Sequence, residues 1–281
     1  MKFDSWDLTT TNNLLQYSPY FMRPNISNCH ALPGTLIIFE GSDGSGKSTQ
    51  IQALKKSLEK EGKLVKVSSW KSAPVLSSFM HQNESLTKFQ ARILPETSLF
   101  MQAADLLYRI EREIIPALKQ GKIVLMDRGI QTLLVRGLMI GMTDTQIRHG
   151  LLWWRNTIYK ELFDMAHTVY FTISPEESLR RLQIRSTQEQ KEILGHKFKK
   201  TKLDGTLLAL HFINSLVYAS DGKKMTRNDK KVFIENIQKK IIDTYTRVFQ
   251  DETLPYTEID ALQTKKSILN SLRRQVIDAL L

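Results

Sequence analysis

Eight consecutive residues, Gly41-Ser42-Asp43-Gly44-Ser45-Gly46-Lys47-Ser48, fit the pattern G-x-x-x-x-G-K-[ST] at every fixed position. The chemistry open to such a segment is phosphate binding. Its glycines let the backbone curl until successive N–H groups point inward at anionic oxygens, and a helix starting at Lys47 aims its positive end at the same place. Lys47 supplies a point charge for the β- and γ-phosphates of a nucleotide, and the Ser48 hydroxyl is a hard oxygen ligand for Mg²⁺. Gly41 to Thr49 are therefore the candidate nucleotide-binding residues. A second candidate is the apolar run Lys122-Ile123-Val124-Leu125-Met126-Asp127, which ends in an acid. Asp127 is placed to hold the same metal, directly or through water. Arg128 follows at once and can clamp another phosphate bidentately. A third is the pair Arg181 and Arg185, four residues apart and so on one helix face. Guanidinium groups there suit a transition state whose charge spreads over equatorial oxygens.

These groups need rigid elements beneath them. Thr35–Glu40 is a continuous apolar run, as a strand buried on both faces requires. The spacing of Ile51, Leu54 and Leu58 predicts a helix over Lys47–Glu61, ended at Gly62. Leu64–Val67, Lys122–Met126, His167–Ile173 and Tyr256–Ile259 read as four further strands. Between them a helix is expected along Leu99–Ile114, kinked or ended by Pro116, and another over Thr145–Phe163. Ser174-Pro175-Glu176-Glu177 has the form of a helix start, and helices are expected over Asp229–Phe249 and Lys265–Leu280. Strands alternating with helices imply βαβ units and a parallel sheet. Residues 1–33, with Pro19, Pro24 and Pro33, read as an irregular extension, leaving 34–281 as one domain.

The chain has 281 residues, 41% hydrophobic and 25% charged, enough for one large α/β domain. No apolar run approaches the ~18 residues that cross a bilayer. The N-terminal residues, with Asp4 and Asp7, lack the pattern of a secretory leader. Cys29 is the only cysteine, which suits a reducing, cytoplasmic setting. The net charge is +11, and the stretch from Arg180 to Lys240 holds 15 Lys/Arg against 6 Asp/Glu. A phosphate-rich ligand beside that stretch fits. Without a zinc spacing, an RNP pattern or a helix-turn-helix signature, nucleic acid is not the expected partner.

With these residues in hand, the chain resembles the thymidylate kinase family of nucleoside monophosphate kinases. The resemblance rests on Phe39-Glu40 leading into the loop and Thr49-Gln50 leaving it, on Ala103-Ala104-Asp105, on Ile114-Ile115-Pro116-Ala117-Leu118 with Gly121, on Asp127-Arg128, and on Pro175-Glu176-Glu177-Ser178-Leu179-Arg180-Arg181. It runs from about Gly34 to Leu262. It implies a P-loop NTPase fold, a three-layer sandwich with a parallel five-stranded sheet flanked by helices and a helical lid at about residues 180–225. It also implies Mg·ATP-dependent phosphoryl transfer to a nucleoside monophosphate such as dTMP, in a homodimer. By the same resemblance Asp43 would touch the acceptor sugar, Asp127 would serve the magnesium or acceptor phosphate, and Arg128 would bind the acceptor phosphate. Arg181 and Arg185 would belong to the lid.

The chain departs from the family on the acceptor side. Gly129 stands where an aromatic residue follows Asp-Arg, and Trp70-Lys71-Ser72-Ala73-Pro74 stands where the family has Arg-Glu-Pro-Gly, leaving Lys71 as the cation available there. Aligned on Ala104-Asp105, the family's base-reading Arg becomes Leu106 and its stacking Phe becomes Gln102, with Arg109 one turn on from Asp105 as the candidate substitute. Substrate contacts are thus expected from Asp43, Lys71, Gln102, Asp105, Arg109 and Arg128. Two other readings are a polyphosphate-dependent nucleotide kinase, suited by the basic run Lys197–Lys202, and a catalytically degenerate nucleotide-binding module, suited by Gln102, Leu106 and Gly129.

Overall fold

A computed structural model describes residues 32–69, 95–184, 227–251 and 255–280. Its centre is β1 (Thr35–Glu40), whose side chains alternate between two apolar layers. Leu36 and Ile38 enter one core and Ile37 and Phe39 the other, all 2% exposed or less. Burial on both faces is what the unbroken apolar run predicts, and each such side chain contributes about 1.5–3 kcal/mol.

From β1 the chain passes through a loop into α1 (Lys47–Lys60), then β2 (Val65–Ser68). Next comes α2 (Pro95–Arg109), continued through a π-helical turn at Ile110–Ile114 to Ile115–Lys119. β3 (Ile123–Asp127) and α3 (Ile130–Met139) follow, then α4 (Trp153–Thr157), α5 (Lys160–Asp164) and β4 (His167–Thr172). The helix over 175–184 is α6. The last elements are α7 (Arg227–Gln250), β5 (Tyr256–Asp260) and α8 (Lys265–Leu272), which continues through a π turn to Leu280. The five strands are all parallel, in the order β2-β3-β1-β4-β5. α1 and α8 pack on one face of the sheet with Ile37 and Phe39, while α2, α3, α4, α5 and α7 pack on the other. The expected three-layer α/β sandwich and five-stranded sheet are borne out, with strand ends shifted by one residue.

Pro116 does not end its helix. It lacks the N–H that would bond back one turn and its ring crowds that carbonyl. The helix widens just before it, with the Ile115 N–H reaching Ile110 O, and resumes as far as Lys119. The expected helix over Thr145–Phe163 is broken into a π turn at Gln146–Leu151 and the short α4 and α5. Trp154, Tyr159 and Phe163 are all buried and meet at ring distances of 6.1 and 6.2 Å. Phe163 lies nine residues, half a turn out of phase, from Trp154, so no straight helix buries both. α3 is an element not anticipated at all, although Ile130, Leu133, Leu134 and Gly137 carry its spacing. Ser174 caps α6 as expected, its Oγ accepting from Glu177 N at 3.3 Å. The 1–33 extension, apart from its last two residues, and the lid segment beyond residue 184 lie outside the described residues.

Candidate active site

The chain leaves β1 at Glu40 and bends through left-handed backbone at Gly44 (φ 80°) and Gly46 (φ 88°), where a side chain is disfavoured. Gly44 is constrained a second time, since a Cβ there would lie 2.8 Å from the Ser178 carbonyl oxygen. Gly46 is the N-cap of α1, so the helix presents its positive end to the loop. Lys47 is 4% exposed. Its ammonium donates to Gly41 O and Ser42 O, each at 2.7 Å, and to Ser45 Oγ at 3.2 Å. Burial, and then the charge of Arg128, lower its pKa to about 8 against the pull of Asp127, Asp43 and Glu40. A phosphate entering the loop offsets both effects, so the anion and the lysine's proton stabilise each other.

β3 is the parallel neighbour of β1, with Asp127 opposite Phe39, and this register lands the acid beside the loop. Ser48 Oγ donates to Asp127 Oδ2 at 2.8 Å, while the buried Asp127 Oδ1 has no hydrogen-bond partner among the described residues. A carboxylate oxygen without a partner next to a serine hydroxyl is a donor set that fits Mg²⁺, which takes one or two protein oxygens and completes its shell with water and phosphate. Thr49 is exposed at the start of α1.

Arg128 sits at φ 66°, a left-handed conformation costing a non-glycine residue roughly 1–2 kcal/mol. Its N–H bonds to Phe39 O at 3.0 Å. The guanidinium pairs with the Asp43 carboxylate and donates to Gly41 O at 3.2 Å and Tyr245 OH at 3.1 Å. Burial works to raise the Asp43 pKa, but Arg128, then Lys47, hold that carboxylate below its usual range. Burial also opposes the charge on Arg128, yet Asp43 foremost keeps the guanidinium protonated. The turn is braced from beneath by Glu40, which is 0% exposed. Its carboxylate accepts from Gly129 N (2.7 Å), Thr132 N (3.2 Å) and Thr132 Oγ1 (2.6 Å), satisfying first-turn N–H groups of α3. Burial pushes the Glu40 pKa up. Thr132 Oγ1 also meets Tyr245 OH at 2.8 Å.

The structure corrects two expected acceptor contacts. Asp105 and Arg109 are both 0% exposed, because their i, i+4 spacing on α2 points them inward with Leu106 and Ile110. Arg109 Nε lies 3.3 Å from Asp105 Oδ2, and the guanidinium reaches Asp127 O at 3.5 Å and Arg128 O at 3.4 Å. They hold the backbone of the turn instead of facing the cleft, and Leu106 is core. Gln102 is half-buried and its Oε1 accepts from Arg136 on α3. Burial, then Arg128, lower the Arg136 pKa to about 10. Thr132 and Arg136 are four residues apart on α3 and so stand on one side of it. Arg181 donates to Glu177 Oε1 (2.7 Å), Ala261 O (2.8 Å) and Gly44 O (3.5 Å), which binds α6 to the back of the loop. Lys71 and Arg185 lie outside the described residues. Sequence reasoning missed Glu40, Thr132, Arg136 and Tyr245 as site residues.

A buried parallel strand feeding a glycine-rich loop and helix, with an acid and an arginine delivered by the neighbouring strand, defines a P-loop nucleotide phosphotransferase. The comparison with known families is specific. The family model described as thymidylate kinase matches residues 39–241, and the chain belongs to that family. It is 33% identical over 155 residues to the thymidylate kinase of Caldanaerobacter subterraneus, covering 53% of this chain and 69% of the relative. It is 27% identical over 215 residues to that of an Exiguobacterium species, covering 75% and 94%, and 26% identical over 227 residues to that of Bacillus pumilus, covering 78% and 97%. Membership makes the chain a nucleoside monophosphate kinase.

Proposed function

We propose that the chain transfers the γ-phosphoryl group of ATP to thymidine monophosphate, giving ADP and thymidine diphosphate. The observation that carries the reading is the meeting of loop and turn: Ser48 Oγ is 2.8 Å from Asp127 Oδ2, and Asp43 is paired with Arg128. Backbone amides of Gly41–Thr49 and the Lys47 ammonium hold the donor phosphates. Ser48 and Asp127 would hold magnesium, which would supply charge neutralisation at the phosphates. Arg128, oriented by Asp43, Tyr245 and Gly41 O, binds the acceptor phosphate and sets it in line with the donor. The acceptor's phosphate oxygen is itself the nucleophile, so positioning and charge neutralisation supply the catalysis. Gln102 and Arg136 line the acceptor side, Lys71 is the further candidate there, and Arg181 and Arg185 serve the donor side. Residues 34–281 form the kinase domain, with the lid at about 180–225. Family membership and the intact Gly46-Lys47-Ser48 argue against a polyphosphate donor and against a degenerate module. The setting is cytoplasmic, in keeping with the single Cys29 and with the absence, among the described residues, of any helix long and apolar enough to cross a membrane.

Coupled ADP release across the common nucleoside monophosphates tests the assignment. The expected result is transfer to dTMP well above the acceptor-free rate. Equal trace rates with every acceptor would overturn it, and turnover only with polyphosphate would redirect it. Light scattering checks the homodimer implied by the family.

A further inference from the structure

Two buried polar side chains play no part in the chemistry above. Ser178 on α6 is 0% exposed and Gln238 on α7 is 1% exposed. Gln238 Nε2 donates to Ser178 Oγ at 2.7 Å, and Ser178 Oγ donates in turn to the backbone carbonyl of Asp43 at 2.6 Å. Buried polar groups weaken a fold unless bonded, and Ala and Leu would fill these places without that demand. The relay they form ends on one particular peptide, that of the residue whose carboxylate holds Arg128. The packing leaves nothing between: a Cβ on Gly44 would stand 2.8 Å from Ser178 O and 3.0 Å from Ser178 Oγ.

Tyr245 extends the pattern. It lies seven residues, two turns, beyond Gln238 on the same side of α7, and its hydroxyl accepts from Arg128 at 3.1 Å. One helix thus reaches both members of the Asp43–Arg128 pair. Tyr245 meets the guanidinium, and Gln238, through Ser178, meets the Asp43 backbone. α6 and α7 are also the two helices that flank residues 185–226 in the chain.

We propose that the Gln238–Ser178 relay is a positioning device, which fixes the Asp43 peptide and through it the direction in which Arg128 presents its guanidinium to the acceptor phosphate. This rests on the function assigned above. The loop from Ser45 onward is held separately, by the bond of Ser45 N to Ser42 O, by the Lys47 ammonium on Ser45 Oγ and by α1, so loss of the relay falls first on Asp43 and the acceptor. The polarity of the relay orders its effects. Removing the Ser178 hydroxyl breaks both bonds, whereas removing the Gln238 amide leaves Ser178 still bonded to Asp43.

The test compares the wild type with Ser178→Ala, Gln238→Leu and the double variant, by steady-state kinetics in both substrates and by amide hydrogen exchange. In Ser178→Ala the acceptor KM rises about tenfold while the ATP KM stays within about twofold, since one lost bond acts on acceptor positioning. Gln238→Leu gives a rise of about threefold, and the double variant matches Ser178→Ala, as members of one chain of bonds do. Exchange at the Gly44 amide, the other half of the Asp43 peptide, speeds up about tenfold in Ser178→Ala, with the Ser45 and α1 core amides unchanged. Equal rises in both KM values, multiplicative effects in the double variant, or unaltered loop exchange would overturn the relay. A wild type that phosphorylates no monophosphate would instead overturn the functional assignment, and the exchange result would still decide the relay.

Discussion

The proposed donor-binding loop occupies consecutive residues, Gly41 to Thr49, whereas the groups around Arg128 come from Glu40 on β1, Asp43 in the loop, Thr132 and Arg136 on α3, Gln102 on α2 and Tyr245 on α7. The two regions share a wall, since Asp43 and Asp127 each face both. Triphosphate chemistry is the same for every kinase, and one backbone conformation with one lysine serves it. Acceptor recognition must combine a phosphate, a sugar and a base, and takes side chains from wherever the sheet edge brings them.

The comparison is broken most severely by Lys47→Ala. Loss of the loop's central charge lowers kcat/KM by at least about 100-fold, and near-normal turnover in the same coupled assay would remove the loop from the mechanism. Tyr245→Phe is the milder counterpart on the other side. Arg128 keeps Asp43 but loses the hydroxyl at 3.1 Å, so the acceptor KM rises by about fivefold to tenfold with the ATP KM unchanged. The pH dependence sharpens the donor side further. On the proposed reading Lys47 binds phosphate as the cation, which in the free protein is present below a pKa of about 8 and lost above it. The kcat/KM for ATP therefore stays level up to about pH 8 and declines beyond it; a decline confined to the acid side would contradict the assignment. The smallest effect belongs to a residue in neither region. Thr264 caps α8 by accepting from Ser267 N at 3.2 Å, and Thr264→Ala costs about 1 kcal/mol, lowering Tm by about 2 °C with every kinetic constant unaltered.

The same contrast governs what could be read from the sequence. β1, the loop and α1 were legible because their signals are local: an apolar run, fixed glycine spacing, and Ile51, Leu54 and Leu58 on one helix face. Asp127 was legible because a strand ending in an acid is also a local pattern. The brace under Arg128 was not. Glu40 looks like the last residue of a strand until α3 places Gly129 N and Thr132 N against it. Tyr245 fits its helix's apolar stripe, and only the packing of α7 on α3 turns its hydroxyl toward Arg128. Arg109 was misread for the opposite reason. Its place one turn on from Asp105 makes it the candidate substitute for the base-reading arginine, while the inward phase of α2 makes it a buried support for the Asp127 and Arg128 carbonyls. The breaks on either side of α4 are not legible because a stripe at helical spacing is satisfied by Ile147, Leu151, Trp154, Ile158 and Leu162 without Tyr159 and Phe163, whose rings then demand burial as well.

The division into a donor region and an acceptor region joined at the Asp43–Arg128 pair is tested most directly by steady-state kinetics of Arg128→Lys with each substrate varied in turn. Lysine keeps the charge but cannot fork between Asp43, Gly41 O and Tyr245 OH. The account predicts an acceptor KM raised by about tenfold or more with the ATP KM within about twofold of the wild type. Equal rises for the two substrates, or an acceptor KM that does not move, would contradict it.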